Sequence, residues 1–184
     1  AVKRVEKALV MVVGLRDEES CNSIALGESV ISGLATGFAI DKHVIVTAAH
    51  AIMGSSKVCI ASLEGDLSEA SVMGIDERWD TAFLRSSLDI EYLPRSEPRI
   101  GILVLACGMA FGSLSPYYSL GIIGGSLAAV RLRDRVVEGL LKSDAVVVPG
   151  MSGGPLVNLR GEVVGMLIAH SRDGIALAYA VPIK

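Results

Sequence analysis

Short apolar runs recur along the whole chain: "ATGFAI", "HVIVTAA", "SKVCIAS", "ASVMGI", "TAFLRS", "GILVLACG", "SLGIIGGSLAAV", "DAVVV", "PLVN", "GEVVGMLIA" and "IALAYAVPI". They are rich in Val and Ile, often alternate with polar positions, and are separated by Gly, Asp, Ser or Pro, which is how strands joined by turns read. No stretch between them keeps a helical period over about ten residues, so a parallel sheet with crossover helices is disfavoured. The opening "AVKRVEKALVMVVGL" differs: its charged, amphipathic start predicts a short helix that runs into a strand. About a dozen short strands with turn residues between them predict an all-β barrel or sandwich. The charged, proline-bearing "SSLDIEYLPRSEPR", residues 86 to 99, reads as an internal linker. It divides the chain into two halves of roughly 90 residues, each long enough to close a small barrel.

Composition narrows the classes. The chain has 184 residues, 51% hydrophobic and 20% charged, enough apolar side chain for a real core and too much for disorder. The net charge is −3 and no basic block appears, which argues against nucleic acid as a partner. The longest uncharged stretch, Ile100 to Val130, contains six glycines and a proline. These break it into pieces shorter than the ~20 apolar residues of a membrane span, so it predicts buried strands and turns. The first residues do not have the form of a signal peptide. Cys21, Cys59 and Cys107 show no metal spacing; one disulfide with a thiol left over fits, but three buried thiols is the simpler expectation.

The chemistry concentrates at "VVVPGMSGGPLVN", residues 146 to 158, where Ser152 stands among three glycines. Glycine loses more conformational entropy on folding than any other residue, so packing explains the stretch poorly. A nucleophilic serine needs a base within hydrogen-bond reach and a third group to orient that base. Three histidines are available. His43 reads as the opening residue of an apolar strand, and His170 as a polar strand-end residue. His50 closes "VIVTAAH", where a buried strand gives way to a turn and a ring can project into a cleft. "GMSGG" also fits the G-x-S-x-G elbow of α/β hydrolases, in which Asp or Glu and then His follow the serine. Here His170 precedes Asp173 and the alternating helices are missing, so that reading fails. In the order His, Asp, Ser the acid lies in "IDERWDTAFLR". Asp76 sits in a charged turn, whereas Asp80 immediately precedes an apolar run that can bury it, as an imidazole-orienting carboxylate requires.

With "TAAH", "WDTAFL" and "PGMSGGPLVN" in that order, the chain resembles a serine protease of the chymotrypsin fold, and more narrowly the HtrA (Deg) protease domain. "SGLATGFAIDKHVIVTAAH", "GIDERWDTAFLR", "LVLACGMAFGSLSPYYSLGIIGG", "SDAVVVPGMSGGPLVNLRGEVVGM" and "IALAYAVPIK" follow that family's pattern from about residue 33 to the end. The resemblance implies an all-β fold of two antiparallel six-stranded barrels with the site between them. It implies one protease domain over residues 1–184, the first barrel spanning about 20–93 and the second about 94–184, with no PDZ domain in this chain. It also implies His50 as general base, Asp80 as its orienter and Ser152 as nucleophile. The amides of Gly150 and Ser152 would form the oxyanion hole, with neither cofactor nor metal. Expected partners are unfolded or extended polypeptides. A homotrimer and a cell-envelope or secreted location are the family's habit, although the N-terminal segment lacks the aromatics that help many relatives form trimers.

"MLIAHS" matches the strand that pairs with an extended peptide, so Ile168, Ala169 and His170 are expected to line it, and the uncharged Val146 and Val147 to form the base of a pocket for a small or medium apolar side chain. Met151 stands where the family usually has Asn and digestive relatives have Asp. It is expected to pack as an apolar plug, leaving Ala1 no part in the site. The competing expectation is a protease fold that captures peptide but turns over poorly because Met151 distorts the oxyanion loop; a complete triad argues against it.

Overall fold

The computed structural model describes residues 1–16, 20–25, 31–132, 135–170 and 177–183. A short helix, α1 (Val2–Glu6), leads into β1 (Leu9–Leu15). After a second short helix, α2 (Asn22–Ala25), come β2 (Ile31–Asp41), β3 (Val44–Ala48), β4 (Lys57–Ser62), β5 (Leu67–Asp76) and β6 (Thr81–Ser86). The second half holds β7 (Leu103–Met109), β8 (Pro116–Leu132), β9 (Arg135–Ser143), β10 (Pro155–Asn158), β11 (Val163–His170) and β12 (Ala178–Pro182). Each half closes into a six-stranded antiparallel barrel, in the orders β1-β2-β3-β6-β5-β4 and β10-β11-β12-β9-β8-β7. Closure pairs the first and last strands of each order, so most of the strand edges are covered. The first barrel takes in β1, upstream of the boundary near residue 20 that the sequence suggests. The uncharged stretch from Ile100 lies in β7 and β8, and among the described residues no helix is long and apolar enough to cross a membrane.

Strand alternation builds three apolar layers. Val10 and Val12 of β1 point into the first barrel with Ile45, Ile60 and Leu84. Their neighbours Leu9, Met11, Val13 and Leu15 face the opposite way, into a cluster shared with Cys107, Met109, Leu140 and Met166 of the second barrel. β7 divides similarly: Val104 and Ala106 fill the second barrel, while Cys107 and Met109 join the shared layer. Strands buried on both faces read as continuous apolar runs, which is why β1 is apolar throughout. The shared layer fixes one barrel against the other.

The charged linker is strapped down. Leu93 is buried in the shared layer and its amide donates to Ala39 O at 3.0 Å, while Val163 N donates to Pro94 O at 2.8 Å. The expectation of three thiols is corrected: Cys21 and Cys59 form a disulfide that ties the α2 segment to β4, and Cys107 alone is a free, buried thiol. Burial disfavours its thiolate and pushes Cys107 up to about 12, so it is chemically quiet.

Candidate active site

His50 follows the last residue of β3, in a single tight turn over Ala49–Ala51. Asp80 ends another such turn, Glu77–Trp79, and enters β6 with a left-handed φ of 49°, a conformation Asp tolerates better than most residues. The pairing of β3 with β6 places Ala48 opposite Thr81, so the two turns lie side by side. Ala49 N donates to Asp80 O at 2.8 Å. Asp80 Oδ1 accepts from His50 N at 2.9 Å, and Asp80 Oδ2 meets His50 Nδ1 at 2.5 Å. One carboxylate thus grips both the backbone and the ring of the same histidine. Asp80 is 2% exposed and the His50 side chain 28%, so the acid is dry and the ring reaches the surface. A carboxylate on Nδ1 selects the tautomer with the proton there and leaves Nε2 with its lone pair. Asp76 serves locally: its Oδ1 accepts from Arg78 N at 3.1 Å and Trp79 N at 3.3 Å, capping the turn that delivers Asp80.

Ser152 lies in the second of two back-to-back turns. Met151 N donates to Val148 O at 3.2 Å with Gly150 at φ 95°, and Gly154 N donates to Met151 O at 2.9 Å with Gly153 at φ 86°. A positive φ at the third position is the mark of a type II turn, and Pro149 in the second position of the first turn supplies its fixed φ. Close approach adds a second demand on Gly153. A Cβ there would fall 2.1 Å from Thr36 O, 2.6 Å from Thr47 Oγ1 and 2.7 Å from Ala48 N. The serine loop is therefore pressed against β2 and the end of β3, just before the turn that carries His50.

The Pro149 carbonyl accepts from Phe111 N at 2.7 Å. In a trans peptide the carbonyl and the following N–H point opposite ways, so the Gly150 N–H faces away from Phe111. Among the described residues none accepts from Gly150 N or Ser152 N. Phe111 holds a left-handed φ of 53° and is 75% exposed, and nothing in the sequence singled it out. Met151 is buried among Ala106, Leu156 and Leu167, and its Sδ accepts from Val148 N at 3.4 Å. Ala1 packs against Gly161 in the turn between β10 and β11, and Arg4 Nη1 donates to Arg160 O.

Ser152 Oγ lies 3.5 Å from Ile168 O, at the limit of hydrogen-bond length. The side chain of Ile168 is buried in the shared layer, so this residue meets the site through its backbone. β11 pairs with β12 along one edge; on the other, Gly153 N donates to Leu167 O at 2.7 Å and Leu167 N to Gly154 O at 2.8 Å. Beyond Leu167 that second edge carries no strand among the described residues. The side chains of Ala169 and His170 lie outside the described residues. Val146 is exposed, its amide donating to Ser119 Oγ at 2.7 Å, and Val147 packs on the interior of the second barrel. His43 occupies the two-residue turn between β2 and β3 with φ 62°, rather than opening β3.

Residues 35–166 match the model of the trypsin-like peptidase domain. A protein of Synechocystis sp. that carries the serine-protease designation HhoA is 36% identical over 85% of this chain and 42% of its own length. A Haemophilus influenzae protein, designated a do/HhoA-like periplasmic serine protease, is 30% identical over 92% of this chain and 36% of its own length. The chain thus spans less than half the length of these relatives. The crystal structure of the serine endoprotease from Yersinia pestis superimposes with a TM-score of 0.79 at 28% identity, covering 98% of this chain and 60% of that one.

Proposed function

The chain belongs to the trypsin-like peptidase family, as an HtrA-like domain of the chymotrypsin fold, and from that premise we propose that it is a serine endopeptidase cleaving extended polypeptide through an acyl-enzyme. The observation that carries the reading is the double grip of Asp80 on His50 beside a loop that presents Ser152 and two unengaged amides. When a peptide fills the cleft, the Ser152 hydroxyl turns from Ile168 O to His50. Oγ then attacks the scissile carbonyl carbon as His50 Nε2 takes its proton, and Asp80 stabilises the imidazolium. The carbonyl oxygen, now an oxyanion, accepts from Gly150 N–H and Ser152 N–H. Collapse of this intermediate breaks the C–N bond; the departing amine takes the proton from His50 and leaves an ester on Ser152. Water, deprotonated by the same histidine, hydrolyses the ester and restores the enzyme.

In the same reading the substrate adds as a strand to the open edge of β11 at Ile168 to His170, where backbone pairing gives affinity. Val146 and Val147 bear no charge, which favours Val, Ala or Leu before the cut. The buried Met151, with Gly150 at positive φ beside it, weighs against a distorted oxyanion loop and hence against a binding-only module. The Cys21–Cys59 disulfide supports the cell envelope or the exterior as the compartment, since such bonds persist where conditions are oxidising. Assembly into a trimer belongs to this reading through family resemblance. Turnover of unfolded casein tests the reading: Ser152→Ala lowers it on the order of 10³-fold or more, because nucleophile and base act as a unit. Residual turnover within tenfold of the parent, with the fold intact, would overturn the assignment.

A further inference from the structure

Thr36 lies mid-strand in β2, wholly buried, between Ala35 and Gly37. Threonine suits a strand, and its methyl packs as a valine's would, so propensity alone accounts for the residue type. Its polar groups have a more specific use. Thr36 N donates to Ser152 O at 2.9 Å. Thr36 Oγ1 donates to Gly150 O at 2.7 Å and accepts from Met109 N at 2.8 Å. Thr36 O accepts from Thr47 Oγ1 at 2.8 Å, on the strand that runs into His50. One residue of the first barrel therefore bonds two carbonyls of the nucleophile loop in the second, on either side of Met151, and its own carbonyl is tied to the strand that leads to His50.

We propose that Thr36 is a positioning residue that sets the oxyanion hole through its hydroxyl. Two peptide planes meet at Gly150. The Pro149–Gly150 plane is held at its carbonyl by Phe111 N, and the Gly150–Met151 plane at its amide by Val148 O. Of the two corners left, the Gly150 N–H is the oxyanion donor itself, and the other, Gly150 O, is held by Thr36 Oγ1. Glycine has no Cβ to resist rotation, so the direction of the Gly150 N–H is only as fixed as these three bonds make it. A donor stabilises the oxyanion without reorganisation only when it already points there. The hydroxyl suits this corner because it donates to Gly150 O while accepting from Met109 N; a methyl can do neither. Thr36 contacts neither substrate nor reacting atoms, and it acts through Gly150 and Ser152.

This role rests on the acyl-enzyme reading above, and the experiment separates the two. Steady-state cleavage of a fluorogenic peptide and melting temperature are measured for the parent, Ser152→Ala, Thr36→Val, Thr36→Cys and Thr36→Ser. Removing an oxyanion donor outright costs about 10²–10³ in kcat, so mis-aiming one is expected to cost about 10- to 100-fold in Thr36→Val, with KM within about twofold. Thr36→Ser keeps the hydroxyl and should return kcat to within about threefold of the parent, a rescue that lost packing of the methyl would not give. Thr36→Cys, close in size but a poor donor, should fall between them and carries the test if the valine variant does not fold. Parental kcat in a folded Thr36→Val or Thr36→Cys overturns the proposal, as does a loss in KM alone or a serine variant as impaired as the valine one. A parent with no Ser152-dependent cleavage would defeat the acyl-enzyme reading itself, and this role with it.

Discussion

On the first barrel's side of the cleft, a side chain holds a side chain: Asp80 binds both the ring and the amide of His50, and both residues belong to turns joined by one strand pair. On the second barrel's side, the loop from Val148 to Gly154 is held mostly by its own backbone and by groups that come to it from elsewhere. Phe111 N, Thr36 and Leu167 supply those bonds, and Met151 Sδ is the one side chain of the loop that bonds its backbone among the described residues. His50 is thus set locally, within the first barrel, whereas the Ser152 loop takes its order from the packing of two barrels. The two halves should therefore fail in different ways. Changes at Asp80 damage the chemistry and leave the loop alone, while changes beneath or across from the loop reach chemistry through geometry.

The largest effect is expected from Asp80→Asn. The amide cannot favour the Nδ1–H tautomer as a carboxylate does, and kcat should drop on the order of 10⁴-fold with KM little changed. A loss confined to KM would separate Asp80 from the base. Next comes Met151→Ala, which opens a cavity in the interior of the second barrel. Truncating a buried methionine costs about 2–5 kcal/mol of stability. Chemical denaturation reads that loss, and the variant's kcat should fall with the loop's order. Parental stability would remove Met151 from its packing role. The smallest effect concerns the shared layer. The Cys107 thiol, pushed up to about 12 by burial, stays protonated between about pH 7 and 9, and the thiolate is the form that reacts. Iodoacetamide should leave the folded protein unmodified there and label it once unfolded; labelling of the native state would show that the barrels part readily.

The fold was legible because alternation and Val/Ile-rich runs survive in a chain whose strands are short and whose turns are marked by Gly, Asp and Pro. His50, Asp80 and Ser152 were legible as candidates because a sequential order and a burial argument narrowed three histidines and two aspartates to one pair. Thr36 was not. In "ATGFAI" it reads as a strand former, and its hydroxyl partners lie 114 and 73 residues away, a proximity only the closed barrels create. The one available signal was a hydroxyl in a run otherwise made of apolar residues and glycine. Phe111 was missed because its contribution is a backbone amide, which any residue but proline carries. The Cys21–Cys59 bond escaped for a related reason: three cysteines allow several pairings, and the choice depends on where α2 docks.

The central claim is that the two halves meet as an activated serine facing a formed oxyanion hole. Labelling with a fluorophosphonate probe tests this most directly, since the reaction needs a nucleophilic hydroxyl and amides ready for the phosphoryl oxygen. Stoichiometric modification of the native protein is expected, mapped by mass spectrometry to Ser152, lost in Ser152→Ala and slowed strongly in Asp80→Asn. A folded native protein that stays unlabelled, or that carries the probe on another residue, would contradict it.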